Sequence, residues 1–228
     1  MNAEDFKNGQ MILIDKPLEW TSFQVVNKLR WGIRRKYKIK KIKVGHAGTL
    51  DPLASGLLIV CTGKFTKTIE KLQAERKEYT GTITLGATTP SYDLETKISQ
   101  TFPITHICDA DIQKARELFL GEIEQIPPLY SAIKKDGVRL YELARKGESK
   151  VVPPRKINIY EFEIVKIDMP KVAFRVVCSK GTYIRSLAHD FGKALNSGAH
   201  LSSLRRTKSG DHLVDNAINP LRYLENLA

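Results

Sequence analysis

Val44-Gly45-His46-Ala47-Gly48-Thr49-Leu50-Asp51-Pro52-Leu53-Ala54-Ser55-Gly56 holds three glycines, one histidine, one carboxylate and one proline in thirteen residues. Glycine admits positive φ or a close approach to a ligand. Pro52 biases Asp51 away from the α region, towards an extended or turn conformation. The stretch therefore reads as a shaped loop that presents a short acid. It lies between a strongly basic segment and the apolar run Leu57–Cys61. A carboxylate beside a positive field suits chemistry on a polyanion. By itself the pattern is weak, because Asp and Pro are both ordinary turn formers.

The basic segment is Lys28–Lys43, with nine Lys/Arg and no acid in a 228-residue chain of formal net charge +12. Most of the charge excess is thus concentrated in one place. Two readings stand: a solvated helix end running into a loop, or a surface that contacts phosphates and releases counterions. Trp31 and Tyr37 lie within it and could either stack on bases or pack in the core.

Composition narrows the classes. A hydrophobic content of 42% is that of a globular protein, and the length is enough to bury a proper core. No apolar run approaches the ~18–20 residues that span a bilayer. The N-terminus carries Glu4 and Asp5 and no apolar signal core, so secretion is not expected. Cys61, Cys108 and Cys178 are odd in number, far apart and without a CxxC pair, as expected of a reduced, cytoplasmic protein without zinc. GxSxG, GxGxxG, the P-loop and HExxH do not occur. No metal or cofactor is expected, so an enzyme on this chain would use ordinary side chains, with Asp51 the best placed.

Outward from the loop, Gln10–Asp15 and Leu57–Cys61 read as buried strands. Thr21 or Ser22 can cap a helix from about Phe23. Thr66–Gln73 reads as a helix, and alternation over Tyr79–Leu85 as a strand. Gly86 to Ile98 reads as loop. Asp109 or Asp111 caps a helix closed by Gly121. Pro127–Pro154 reads as a basic arm inserted in the main body, with a short helix over Arg139–Lys146. Lys156–Ile167 and Lys171–Cys178 suggest adjacent strands. Thr182 is a fair N-cap for a helix through Leu195, with Arg185 in its first turn. The dipole there slightly disfavours a cation, which leaves two readings, a specific partner or, by default, a surface ion pair. A last helix starts near Asn219.

Several blocks recur together in family order. They are Asp15-Lys16-Pro17 with Thr21-Ser22, the Gly45–Gly56 loop, Lys77-Glu78-Tyr79, Pro127–Lys134, Leu140–Arg145, Ser179–Ser186, and Gly198–Leu201 with Leu204-Arg205-Arg206. The set resembles the TruB family of pseudouridine synthases. That resemblance implies an α+β fold: a mixed, largely antiparallel sheet flanked by helices, with an inserted arm near 127–154. It implies one catalytic domain over 1–228 and no PUA domain. It also implies isomerisation of uridine 55 in the T-loop of tRNA by an aspartate nucleophile and base flipping.

The resemblance assigns roles by position. Asp51 is the nucleophile, Arg185 the arginine that pairs with the catalytic carboxylate, and Tyr79 the tyrosine stacking on the target uracil. Tyr183 and Leu204 line the uridine pocket. His46 packs into the T-loop, Asp93 belongs to a polar network behind the pocket, and Lys16 of the first motif contributes to substrate binding. The expected partner is tRNA through its T-arm stem-loop, the protein being a monomer without an obligate protein partner or a membrane. Two departures from the family pattern are visible. Glu19 occupies a position usually glycine, implying a changed turn, and Thr89-Pro90-Ser91 replaces Thr-Asp-Thr. The alternatives are a non-catalytic RNA-binding protein or tRNA folding chaperone on the same scaffold, and the same chemistry on ribosomal RNA.

Overall fold

The computed structural model describes residues 2–131, 133–135, 137–145, 147–148 and 152–227. The chain divides into two compact units, Met1–Tyr79 with Leu204–Ala228, and Thr80–Ser203. In chain order the first unit begins with α1 (Ala3–Asn8), β1 (Met11–Lys16), α2 (Ser22–Lys36), β2 (Val44–His46) and β3 (Ala54–Thr62). A 3-10 turn over Gly63–Thr68, α3 (Ile69–Ala74) and the start of β4 (Lys77–Leu85) follow. The second unit carries β5 (Ala87–Thr88), β6 (Gln100–Thr101), α4 (Asp109–Glu117), β7 (Gly121–Gln125), β8 (Lys134–Lys135), β9 (Val138–Arg139) and α5 (Leu140–Arg145). It continues with β10 (Arg155–Asp168), β11 (Lys171–Cys178), α6 (Ile184–Ala194) and the first half of β12 (Ala199–Ser209). The chain then returns to the first unit through β13 (His212–Leu213) and α7 (Pro220–Glu225). The observed class is the expected one, α+β with a largely antiparallel sheet flanked by helices.

In the first unit β3 is the central strand. It pairs antiparallel with β1, from Met11 opposite Cys61 to Lys16 opposite Gly56, and with β2, from Val44 opposite Thr62 to His46 opposite Val60. Its start runs parallel to β12, with Leu204 opposite Ala54 and Arg206 opposite Gly56. Both faces of β3 are covered, so the run is continuously apolar rather than alternating. Leu58 and Val60 join the cluster of Val25, Val26, Leu29 and Ile33 from α2. Leu57, Ile59 and Cys61 join Ala47, Leu72 and Val214 on the other face.

The apolar stripe of α2 fixes its buried side, and a capping box fixes its start. Gln24 N–H donates to Thr21 Oγ1 at 3.0 Å, and Thr21 N–H donates to Gln24 Oε1 at 2.7 Å.

In the second unit the order is β12–β4–β11–β10–β7. β10 and β11 form a long antiparallel ladder, broken by irregularities between Ile159 and Glu161 and between Ile164 and Lys166. Phe162 anchors the core, edge-on to Phe119, Phe174 and Phe191 with ring centroids 5.7–6.4 Å apart.

Several local expectations need correction. The helix of residues 109–117 is capped by Cys108, while Asp111 serves as the reciprocal acceptor three residues on. Gly121 does not close that helix; it opens β7, which pairs with β10. Tyr183, not Thr182, caps α6, because the Thr182 hydroxyl donates to Ser179 O at 2.9 Å. The expected helix over 66–73 is a 3-10 turn followed by α3. The loop after Gly86 contains the small β5–β6 ladder. Within the segment read as an arm lie the two-residue strands β8 and β9 and the helix α5. Lys146 lies outside the described residues.

Gly56 has φ 101°, and a Cβ on it would strike the Arg206 backbone. Gly56→Ala combines left-handed strain with a backbone clash, a cost of about 3 kcal/mol. The expected fall in Tm is about 6–12 °C by thermal unfolding.

Candidate active site

The loop that carries Asp51 is tied down along its whole length. Gly48 takes φ 103°, which glycine tolerates without strain. The Ser22 hydroxyl donates to Leu50 O at 3.1 Å and accepts from Leu50 N–H at 2.9 Å. Ala54 N–H closes the turn on Asp51 O at 3.1 Å, and Glu19 N–H donates to Pro52 O at 2.8 Å. Glu19 has φ 66°, the region that favours glycine. The position where the family pattern has glycine therefore holds a glutamate in glycine's conformation, at a strain of about 1–2 kcal/mol.

Among the described residues three cations are buried in this unit, Lys16, Lys77 and Arg206. Lys77 donates to the carbonyls of Leu72, Gln73 and Glu75, and the other two hold the Asp51 loop. Lys16 is 0% exposed, and its ammonium donates to Pro17 O at 2.9 Å, Trp20 O at 2.6 Å and Pro52 O at 3.5 Å. Arg206, 2% exposed, donates from Nε to Leu57 O at 2.7 Å and from a terminal nitrogen to Gly48 O at 3.1 Å. Gly48 and Leu57 stand on either side of Asp51 in sequence, so Arg206 clamps both arms of the loop.

Desolvation pulls the Lys16 pKa down to about 8; the Asp51 carboxylate opposes that shift and Arg206 reinforces it. The histidine of the loop, His46, closes the β2–β3 ladder. Burial, then the Arg206 charge, lowers its pKa, against a backbone contact with Gly48. It therefore favours the neutral imidazole. Tyr79 lies 9% exposed in β4, and Leu204 on β12 is in register with Ala54. This unit thus brings Lys16, His46 and Asp51 to one loop system.

The second unit gathers Asp93, Tyr183 and Arg185. Arg185 is 3% exposed on the first turn of α6. Its partners include Ser91 O at 3.1 Å, Tyr130 O at 2.9 Å and Asp93 Oδ2 at 3.6 Å from Nε. Of the two readings of a cation at this helix N-terminus, the buried contacts favour specific partners over the surface ion pair expected by default. Asp93 also accepts from Glu95 N–H at 3.0 Å. Its own carbonyl takes bonds from the hydroxyls of Thr89 at 2.6 Å and Ser91 at 3.2 Å. Thr89-Pro90-Ser91 thus forms a buried hydroxyl cage in place of the family's Thr-Asp-Thr.

Tyr183 is gripped by the buried Gln125, whose amide donates to Tyr183 O at 3.0 Å and accepts Tyr183 N–H at 2.8 Å. The Arg155 guanidinium lies 4.5 Å over the Tyr183 ring.

Sequence reasoning gave no role to Ser22 in the loop, nor to the burial of Arg206, the Gln125 grip or the Tyr92–His189 stack. Those two rings lie parallel at 3.8 Å, and burial drives the His189 pKa down to about 4. His189 lies four residues from Arg185 on α6, so one helix face holds both Ser91 and Tyr92. No local pattern marks such residues: a strand arginine or a helix-start serine ordinarily reads as solvent-facing or capping. Among the described residues, no three His, Cys, Asp or Glu side chains cluster to hold a metal, and no helix is long and apolar enough to cross a membrane.

A family profile described as TruB family pseudouridylate synthase (N terminal domain) matches residues 34–184. One described as tRNA pseudouridylate synthase B C-terminal domain matches residues 185–228. The chain is 62% identical to the tRNA pseudouridine synthase B of Flavobacterium johnsoniae over 228 residues, all of both chains. It is 55% identical to the protein of that name from Phocaeicola vulgatus, over 94% of this chain and 92% of that one. Among solved structures it resembles a chain of a Cbf5-Nop10-Gar1 complex, with TM-score 0.70 and 33% identity. That match covers 96% of this chain but 54% of the other, so this chain spans about half its length.

Lys16 has a folded pKa below its unfolded one. Between about pH 8 and pH 10.5 the unfolded chain keeps a proton that the folded chain has shed. The Lys16 contribution to stability therefore rises with pH across that window and is least favourable below it. Urea unfolding at stepped pH should show this rise in the wild type and its loss in Lys16→Met. At neutral pH the variant's carbonyl acceptors lose their donor.

Proposed function

The chain belongs to the TruB family of pseudouridine synthases and forms pseudouridine in tRNA, and we propose that its target is uridine 55 of the T-loop, with Asp51 as the nucleophile. The observation that carries this reading is the Asp51 loop itself. An acid on a Gly-His-Ala-Gly-Thr-Leu-Asp-Pro turn is held at Gly48, Leu50, Asp51 and Pro52 by fixed hydrogen bonds. Such preorganisation is what a covalent step needs, because no free energy is then spent ordering the nucleophile at the moment of reaction.

Isomerisation breaks the N1–C1′ bond and makes a C5–C1′ bond, with no net redox change. A carboxylate can serve it by attack on C1′ or on the uracil ring, or by removing the 2′ proton. The base must leave its stack, at a cost of a few kcal/mol. We assign Tyr79 to the stacking surface that returns part of it, ~1–3 kcal/mol. Tyr183 and Leu204 are assigned to the uridine pocket, and His46, favouring its neutral form, to the T-loop. Arg185 acts as the buried cation of the reaction and Asp93 as its support, 3.6 Å away. Lys16 contributes a positive field at Asp51 and holds the first motif to Pro52. The segment near 127–154 is assigned to gripping the T-arm. The protein is proposed to act as a monomer.

The test is pseudouridine formation in a T-arm stem-loop, with binding measured in parallel. Asp51→Asn should bind as the wild type does and lose turnover by at least ~10³-fold, about 4 kcal/mol of barrier. Binding by both proteins without conversion by either would replace the enzyme reading with that of an RNA-binding scaffold.

A further inference from the structure

The basic stretch contains two aromatic residues, and the fold separates them. Tyr37 packs at 5.2 Å from Phe6, against the core. Trp31 remains 56% exposed on α2, with the Arg35 guanidinium 5.1 Å from its ring centroid. Gln24, Lys28, Trp31 and Arg35 stand at i, i+4, i+7 and i+11, so they form one stripe along the helix. All four are exposed, while Val25, Val26, Leu29 and Ile33 face the core. Exposed Arg34, Lys36, Lys38 and Lys40 extend the charge past the helix end. Among the described residues, none of these cations pairs with a carboxylate within 4.0 Å.

A lone exposed apolar residue needs no explanation. An indole already stacked by a guanidinium and set among uncompensated cations is different. It matches the two demands of single-stranded RNA, a positive track for phosphates and an aromatic plane for a base. An acidic protein would satisfy only the first. The helix that carries the stripe starts beside the candidate site: Ser22, on the buried face of its first turn, bonds Leu50 next to Asp51. Trp31 is nine residues further on, about 13 Å along the axis at 1.5 Å per residue. That distance is roughly four stacked nucleotides.

We propose that the outer face of α2 is a second RNA contact, in which Lys28, Arg34 and Arg35 take backbone phosphates and Trp31 stacks on an unpaired base outside the target uridine. This rests on RNA being the substrate, as read above. The charge and the plane act together there. The contact anchors RNA beyond the modified loop and leaves the chemistry alone.

The chain has two tryptophans, so Trp20→Phe leaves Trp31 as the only indole in the full protein. Its fluorescence should be quenched on titration with tRNA. In the otherwise native chain, Trp31→Ala should raise Kd and KM for tRNA by about 5-fold or more, with kcat at saturation unchanged. Trp31→Phe should keep most of the affinity. Arg35→Gln should also reduce the slope of log K against log salt by about one. An unquenched Trp31, or an unchanged Kd in Trp31→Ala, would overturn the proposal. Equal quenching by inorganic polyphosphate would show a site that reads charge alone and would overturn base stacking. A Trp31 signal that changes with protein concentration without RNA would assign the face to a second copy, and would overturn it too. Loss of conversion by the wild type with quenching intact would sink the uridine 55 reading and leave this contact standing.

Discussion

A buried cation must have its N–H groups satisfied, and of the three in the first unit, Lys77 included, two do so at the Asp51 loop. Lys16 and Arg206 are 0% and 2% exposed. Taking such a charge out of water costs several kcal/mol unless hydrogen bonds replace its hydration. Here the acceptors are backbone carbonyls: Pro17, Trp20 and Pro52 for one, Gly48 and Leu57 for the other. All of them belong to the first motif or to the segments flanking Asp51. Satisfying the cations and shaping the loop are therefore one requirement, and the apolar clusters on the two faces of β3 supply the burial that enforces it.

The second unit applies the same logic with different parts. Arg185 is 3% exposed and draws in the carbonyls of Ser91 and Tyr130 beside Asp93. In both units a loop residue sits at positive φ without being glycine: Glu19 at 66° and Tyr92 at 64°. Strain of this kind persists only where the surroundings over-determine it. At Glu19 the bond to Pro52 O does so, and at Tyr92 the His189 stack and the bonds to Thr89 and Leu201 do. Stiff loops of this sort suit positioning of side chains in general, since misplacing a reacting group by 1 Å can cost about 10²-fold.

The basic stretch shows how one composition serves two ends. Its apolar members, with Tyr37, close the core against Phe6 and β3, and its cations and Trp31 face solvent. Sequence position alone gave Trp31 and Tyr37 equal claims to either side. The helical period separates them: Trp31 falls on the stripe opposite Leu29 and Ile33, and Tyr37 lies at the helix end, where the chain turns inward.

What the sequence determined by itself were the features written in local order. The apolar run of β3, the α2 face with its Thr21 cap, the alternation of β4, the β10–β11 pair and the Asn219-capped last helix are legible because period and capping act over a few residues. The ordered motif blocks gave the family for the same reason. The long-range partnerships emerge only on folding. Arg206 reads as a surface arginine until Gly56 lets β12 approach and two carbonyls accept its charge. Gln125 is an ordinary strand residue until Tyr183, 58 positions away, presents its backbone. Gly121 looks like a helix terminator until β10 offers a strand to pair with. Burial reverses the usual preference of a polar group for water, and burial is a property of the folded chain that no window of sequence contains.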